Sequence, residues 1–338
     1  MKSKALLLKI FLLVLILAII YILTNHAESN KDEIKANHVK ESLPLHEVMT
    51  SNKPLPTQQK IPTKQPLPSQ QKMTIKQPLP SQQKMTIKQP LPKIYAIVTM
   101  PLLTKKDLQT KKYRTSTIEK IEERMSEFIT GLQNTLNHEC VYRVHFLYNE
   151  SNVVDYVKAR VKINTTKLVF NRVEDPRKHV TYFDFAYEKL QGEIAMYTPI
   201  DVYPGEGFRL INKDDLISKK LMYILTRHGK QEKNCDMGNI SNNCNRKRYF
   251  GSHDSYIFVP NGPLSPEIRK ALDYWSIVWG QENIAIHTFR TLGHFKVTNP
   301  CEVLFVYHIH CSNLRDSTRY RINTSANSGM APPTNTLT

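Results

Sequence analysis

The sequence predicts an α/β domain over residues 93–323, with a mostly parallel central sheet flanked by helices. Three observations carry this expectation. From Lys93 onward, short apolar runs alternate with stretches of helical period. The helical stretches bring their own start and stop residues. The segment before them, residues 52–92, is a proline-rich repeat with no period that can bury a face, so the fold begins after it.

In chain order, Lys93–Thr99 is an apolar strand. Ser116-Thr117-Ile118-Glu119 has the pattern of a capping box, and Ile121, Met125, Phe128, Ile129, Leu132 and Leu136 continue from Ile118 at helical spacing. Val141–Leu147 and Lys167–Val173 read as strands, Thr181–Leu190 as a helix and Glu193–Tyr197 as a strand. Leu221–Thr226 and Ser255–Val259 are further strands. Ser265-Pro266 opens a helix with a cap and a first-turn proline, and a second helix over Gln281–Leu292 stops at Gly293. Phe295–Thr298 and Val303–His308 complete the order, and residues 324–338, rich in Ser, Thr and Pro, are expected to be disordered.

The N-terminus assigns a compartment. Residues 1–4 carry Lys2 and Lys4, residues 5–24 are apolar apart from Lys9, and Glu28, Asp32 and Glu33 follow. Twenty apolar residues match a bilayer core, and the charge asymmetry keeps the short N-terminus cytoplasmic. The expectation is a single-pass type II signal anchor in the Golgi membrane, with a lumenal C-terminal domain. Residues 25–92 would form its stem. Lys64–Ile75 and Lys76–Ile87 are identical twelve-residue units, reading as an extended spacer.

Composition excludes other classes. A mean hydropathy of −0.42 rules out a polytopic membrane protein. The net charge of +17 is spread over anchor, stem and domain, with no block resembling a nucleic-acid arm. Sequons at Asn149, Asn164, Asn239 and Asn323 all lie beyond the anchor. The five cysteines would face an oxidising compartment; Cys235 and Cys244 bracket a polar loop and are a candidate bridge, and the odd count leaves one thiol over. No G-x-S-x-G, G-x-x-x-x-G-K-[ST] or G-x-G-x-x-G occurs, which removes esterase, P-loop and dinucleotide-binding readings.

Three clusters bear chemistry. Asp201 follows a predicted strand, where ligands of open α/β sheets gather. Trp279-Gly280-Gln281-Glu282-Asn283 opens a helix. Asn299-Pro300-Cys301 precedes His308 and His310, which share one face of a strand; their spacing with Cys301 and Cys311 fits no familiar zinc pattern.

The order strand–Asp, then W-G-x-E-[DN], then a late His resembles a GT-A glycosyltransferase, the W-G-x-E-[DN] element being like that of lumenal galactosyltransferases. The resemblance takes in Tyr182–Ala186, Gly205–Phe208, Met222-Tyr223, Leu225–His228, Gly251–Phe258, Asn299–Cys301 and His308–Ser312, which look like a poorly characterised family of GT-A-like glycosyltransferases. Where that family carries Asn-Ala-Asp-Ile, this chain has Pro199-Ile200-Asp201-Val202. The resemblance implies hexose transfer from a nucleotide-sugar donor to a glycan or glycoprotein acceptor. It implies a divalent metal, Mn²⁺ rather than Mg²⁺, on Asp201 with His310 or His308. Glu282 and Asp254 would face the acceptor as catalytic carboxylates, and Arg227, His228, Asn283 and Arg315 would contact substrate. The alternative it leaves is an inactive relative serving as a lumenal or cell-surface binding module. If the topology is type II, endoglycosidase treatment lowers the apparent mass, and the C-terminus resists protease in intact microsomes; an accessible C-terminus with no mass shift refutes the orientation.

Overall fold

The structure, a computed structural model, describes residues 90–338 apart from 111, 114–115, 230–243, 246–251, 277, 313, 315–319 and 323–327. The expected anchor and the repeats up to residue 89 lie outside the described residues. No helix among the described residues is long and apolar enough to cross a membrane.

Among the described residues, ten strands form two sheets. The large sheet contains β1 (Ile94–Thr99), β2 (Val141–Tyr148), β3 (Leu168–Arg172), β4 (Ile194–Tyr197), β6 (Leu221–Leu225), β8 (Ser255–Phe258) and β9 (Lys296–Thr298), in the order β3-β2-β1-β4-β8-β6-β9. Every pairing is parallel except those of β8, which runs against both β4 and β6. The mostly parallel sheet expected from the alternation of elements is therefore present. The small sheet comprises β5 (Val202–Pro204), β10 (Val306–His308) and β7 (His228–Gly229), with β10 in the middle.

Period-two burial divides the core between the two faces of the large sheet. Ala96, Val98, Val144 and Phe146 pack beneath α1 (Ile118–Asn137) and α2 (Ser151–Arg160). Ile97, Ala195, Met222, Ile224 and Phe258 face α3 (His179–Lys189), α5 (Pro266–Ala271) and α6 (Gln281–Thr291). A short α4 (Lys213–Ser218) is started by Asn212, whose side chain accepts from the amides of Asp214 and Asp215. In α1 the cap is Thr117, one residue later than the capping-box reading places it; its hydroxyl accepts from Lys120 N at 3.4 Å. Ser265 caps α5 as expected, accepting from Ile268 N at 3.2 Å.

Two expectations are corrected. Cys244 pairs with Cys301, at a Cα–Cα distance of 5.9 Å, and not with Cys235, which lies outside the described residues. Cys311 is also disulfide-bonded, and Cys140 is the buried free thiol. The disordered reading of residues 324–338 fails over 328–338. There Gly329 exchanges backbone and side-chain hydrogen bonds with Asn283, and Ala331 O accepts from Asn299 Nδ2 at 2.9 Å and His253 Nε2 at 3.1 Å. Composition missed this because the segment is held by partners distant in sequence, the Asn283 and Asn299 amides and the core around Ala331 and Leu337. Of the described sequons, Asn164 is exposed with φ 50°, and Asn149 is partly buried just after β2.

Gly131 of α1 lies against the chain leaving β4, where a Cβ would run into Ile200 O and the Asp201 Cα. Gly131→Ala is expected to destabilise by roughly 1–3 kcal/mol, despite alanine's better helix propensity. Gly262→Ala, at φ +74° with nothing within 4 Å of the added Cβ, should cost less, about 1 kcal/mol. Thermal unfolding of both variants checks the order; equal melting temperatures would mean that α1 does not bear on the turn.

Candidate active site

Six strands of the large sheet point the same way, so their carboxyl ends define one edge, and β8, running oppositely, brings its amino end there. Thr198 after β4, Thr226 and Arg227 after β6, Asn299 after β9 and Asp254 before β8 therefore share that edge. Hydrogen bonds join these segments. Thr198 Oγ1 lies 2.8 Å from Ser255 Oγ and donates to Val202 O at 3.1 Å, so the Ser255 hydroxyl donates to Thr198. Thr226 N donates to Asn299 Oδ1 at 3.1 Å, and Asn299 Nδ2 donates to Thr226 Oγ1 at 2.8 Å.

The first cluster forms where β4 turns into β5. Val202 N closes that turn on Pro199 O at 3.0 Å, and Ile309 N donates to Asp201 O at 2.9 Å. The Asp201 carboxylate is buried, and its Oδ2 accepts from Arg124 Nη2 and from His308 Nε2, the latter at 3.0 Å. Burial alone would raise its pKa, but Arg124 and then His308 outweigh it and hold the carboxyl well below its usual range. His310, also buried, donates from Nε2 to Leu314 O at 3.1 Å. Ligand atoms of Asp201, His308 and His310 all lie within 4.8 Å of one another, a spacing that could hold a metal ion.

Arg124 Nη1 also donates to Glu127 Oε2 at 2.7 Å. One guanidinium thus faces two buried carboxylates, Asp201 and Glu127. A carboxylate oxygen with two imidazole nitrogens suits a first-row divalent ion.

The second cluster centres on Glu282, in the first turn of α6 behind Gly280, whose φ of 85° lets the loop enter the helix. Burial raises its pKa to about 7, with Asp254 adding to the shift and Arg227 and Arg321 opposing it. Asp254 Oδ1 accepts from Arg227 Nη1 at 2.8 Å. The buried Asp254 Oδ2 and Gln281 Oε1 have no hydrogen-bond partner among the described residues, which leaves acceptors beside Glu282 for a ligand to satisfy.

The structure thus brings together Asp201, His308 and His310, and separately Glu282, Asp254 and Arg227. It does not place His228 and Asn283 as free substrate contacts. His228 is buried in the small sheet, its ring stacked on Phe305 at 4.3 Å, because β7 pairs with β10 beneath that face. The Asn283 side chain is taken up by Gly329 O at 2.9 Å. Arg315 lies outside the described residues. Sequence reasoning missed Arg124, Glu127 and Arg321. A signal existed for the first two: both fall on the face of α1 defined by Ile121, Met125 and Phe128, where charge is unexpected.

No protein-family pattern and no curated protein matches the chain. Among solved structures it is similar to a candidate nucleotide-diphospho-sugar transferase from Desulfovibrio desulfuricans G20. The two are 12% identical, aligned over 61% of this chain and 78% of that one at a TM-score of 0.36. HddC from Yersinia pseudotuberculosis, 13% identical, aligns over 40% of this chain and 59% of its own at a TM-score of 0.26. At such scores neither a shared fold nor a shared activity follows.

A carboxyl whose pKa rises on folding favours the folded state most below its unfolded pKa, and that advantage disappears as pH climbs through the folded value. For Glu282 the window runs from the ordinary glutamate value of 4.5 to about 7. Glu282→Gln should match the parent in stability below that window. Above it the variant should be more stable, by on the order of 2 kcal/mol, less than a full conversion of the shift because the side chain is only half-buried. Denaturant titrations at pH 4 and pH 8 measure the difference; equal gaps at both would place the charge in solvent.

Proposed function

We propose that the chain is a glycosyltransferase of GT-A-like architecture, transferring a hexose from a nucleotide sugar to a glycan or glycoprotein acceptor with a divalent metal. The observation that carries this reading is the pair of unlike carboxylate clusters on one edge of the sheet, linked through Ser255, Thr198 and Val202. One holds its carboxyl well below its usual range beside two imidazoles; the other has its carboxyl raised toward neutrality beside unsatisfied acceptors.

Asp201, His308 and His310 would hold the metal, and their mixed oxygen and nitrogen set favours Mn²⁺ over Mg²⁺. When bound, the ion would neutralise charge on the departing diphosphate. Glu282, poised near pH 7, takes the proton of the acceptor hydroxyl. Arg227 fixes Asp254 through Oδ1, so that Oδ2 is presented to a second acceptor hydroxyl. A type II Golgi location with a repetitive stem completes the proposal, supported by the apolar span 5–24 and the four sequons beyond it.

A second reading, an inactive binding module, is favoured by one observation: Arg124 already occupies the Asp201 carboxylate that a metal would need. Calorimetry on the full-length protein with a panel of nucleoside diphosphates, with and without Mn²⁺, separates the two. The enzyme reading expects metal-dependent binding that Asp201→Asn weakens by about 2 kcal/mol. Glu282→Gln should leave that binding intact while lowering transfer by roughly a hundredfold or more. No binding across the panel favours the module, and metal-independent binding unchanged in Asp201→Asn removes this cluster from the mechanism.

A further inference from the structure

Arg124 and Glu127 lie one turn apart on the buried face of α1, and both are nearly inaccessible to water. An ion pair so placed is weak support for stability, since well-packed apolar side chains often serve as well or better. What distinguishes this pair is where its bonds go. Arg124 Nη2 donates to Asp201 Oδ2, while Nη1 donates to Glu127 Oε2 at 2.7 Å and to Ile309 O at 3.2 Å. Glu127 accepts from Ser312 N at 2.5 Å through Oε1 and from Ser312 Oγ at 2.9 Å through Oε2. The guanidinium also lies against the Phe128 ring, 4.4 Å from its centroid.

The two pieces of chain gripped in this way are the two that supply the candidate ligands. Asp201 comes from the turn after β4. His308 and His310 come from the segment around Ile309 that runs on to Ser312, more than a hundred residues later. A rigid fork with a planar spread of donors can hold both at once; a point charge cannot.

We infer that Arg124 and Glu127 are positioning residues that preorganise a divalent-cation site, clamping Asp201 and the His308–His310 segment at ligand spacing. The inference rests on the metal reading of this cluster proposed above. It adds that the cluster's affinity for a cation is set from α1, by residues that never touch the ion.

The test uses Co²⁺ as a spectroscopic probe and Mn²⁺ as a second ion, titrated into the full-length protein without nucleotide, with melting temperature measured in parallel. Arg124→Met removes both charge and fork, Arg124→Lys keeps the charge alone, and Ser312→Ala removes one donor to Glu127. Outer-shell partners of metal ligands typically change affinity 10–100-fold. Arg124→Met is expected to weaken Co²⁺ binding by roughly that factor and to shift the visible Co²⁺ absorption, with Arg124→Lys intermediate and Ser312→Ala affected a few-fold. Folded variants that bind Co²⁺ as tightly as the parent, or more tightly, overturn the clamp; tighter binding would make Arg124 the ion's competitor. If Arg124→Met does not fold, Arg124→Lys and Ser312→Ala decide by the same measure. A parent protein that binds neither ion refutes the metal reading itself, an outcome distinct from unaltered binding in the variants.

Discussion

The turn that takes the chain out of β4 is the constraint on which the rest of the site depends. It must bury a backbone carbonyl, a hydroxyl and a carboxylate within four residues of a strand that is itself wholly buried. Each group therefore needs a partner brought from elsewhere. Ile309 N satisfies the Asp201 carbonyl, Ser255 and Val202 complete the bonding of Thr198, and Arg124 and His308 satisfy the carboxylate. Three elements distant in sequence are fixed against one turn because the turn cannot stay buried without them. The absence of a Cβ at Gly131 lets the helix carrying Arg124 approach closely enough.

The two carboxylate clusters differ in environment more than in composition. Asp201 is buried against the Arg124 guanidinium and His308, which hold its carboxyl well below the usual range. Glu282 is half-buried, and burial together with the neighbouring Asp254 carboxylate raises its pKa toward neutral pH. A single fold thereby pushes one carboxyl's pKa down and another's up, a division that enzymes use to assign fixed-charge and proton-transfer roles to like residues.

Much of this was legible in the sequence. The strands Lys93–Thr99, Val141–Leu147 and Ser255–Val259 and the long helix from Ile118 follow from apolar period and length, and the structure matches them within a residue or two. Short elements such as α4, β5 and β7 were not legible, because so few residues give no period to read. Asp201, His308 and His310 could be singled out by residue type and order. Arg124 and Glu127 could not be singled out by type, since charged residues on helices usually face water; only their spacing from Ile121 and Phe128 marks them. The cysteine pairing and the ordered segment around Ala331 depend on which distant groups meet in space, and local composition contains no record of that.

The placement of β8 governs how the molecule is assembled. Strands β1 to β4 come from one continuous stretch joined by helical crossovers, so that half of the sheet can form from successive neighbouring units. It then ends at β4, an entirely apolar strand with one edge open. Only β8 covers that edge, and β8 emerges after β6, the strand it must separate from β4. Until then a newly made chain displays an unprotected hydrophobic edge, the kind of surface on which chains aggregate or chaperones act. Asp201 belongs to one half and Asp254, Glu282 and the histidines to the other. The candidate site therefore draws its residues from both halves of the sheet and is complete only once the two have come together.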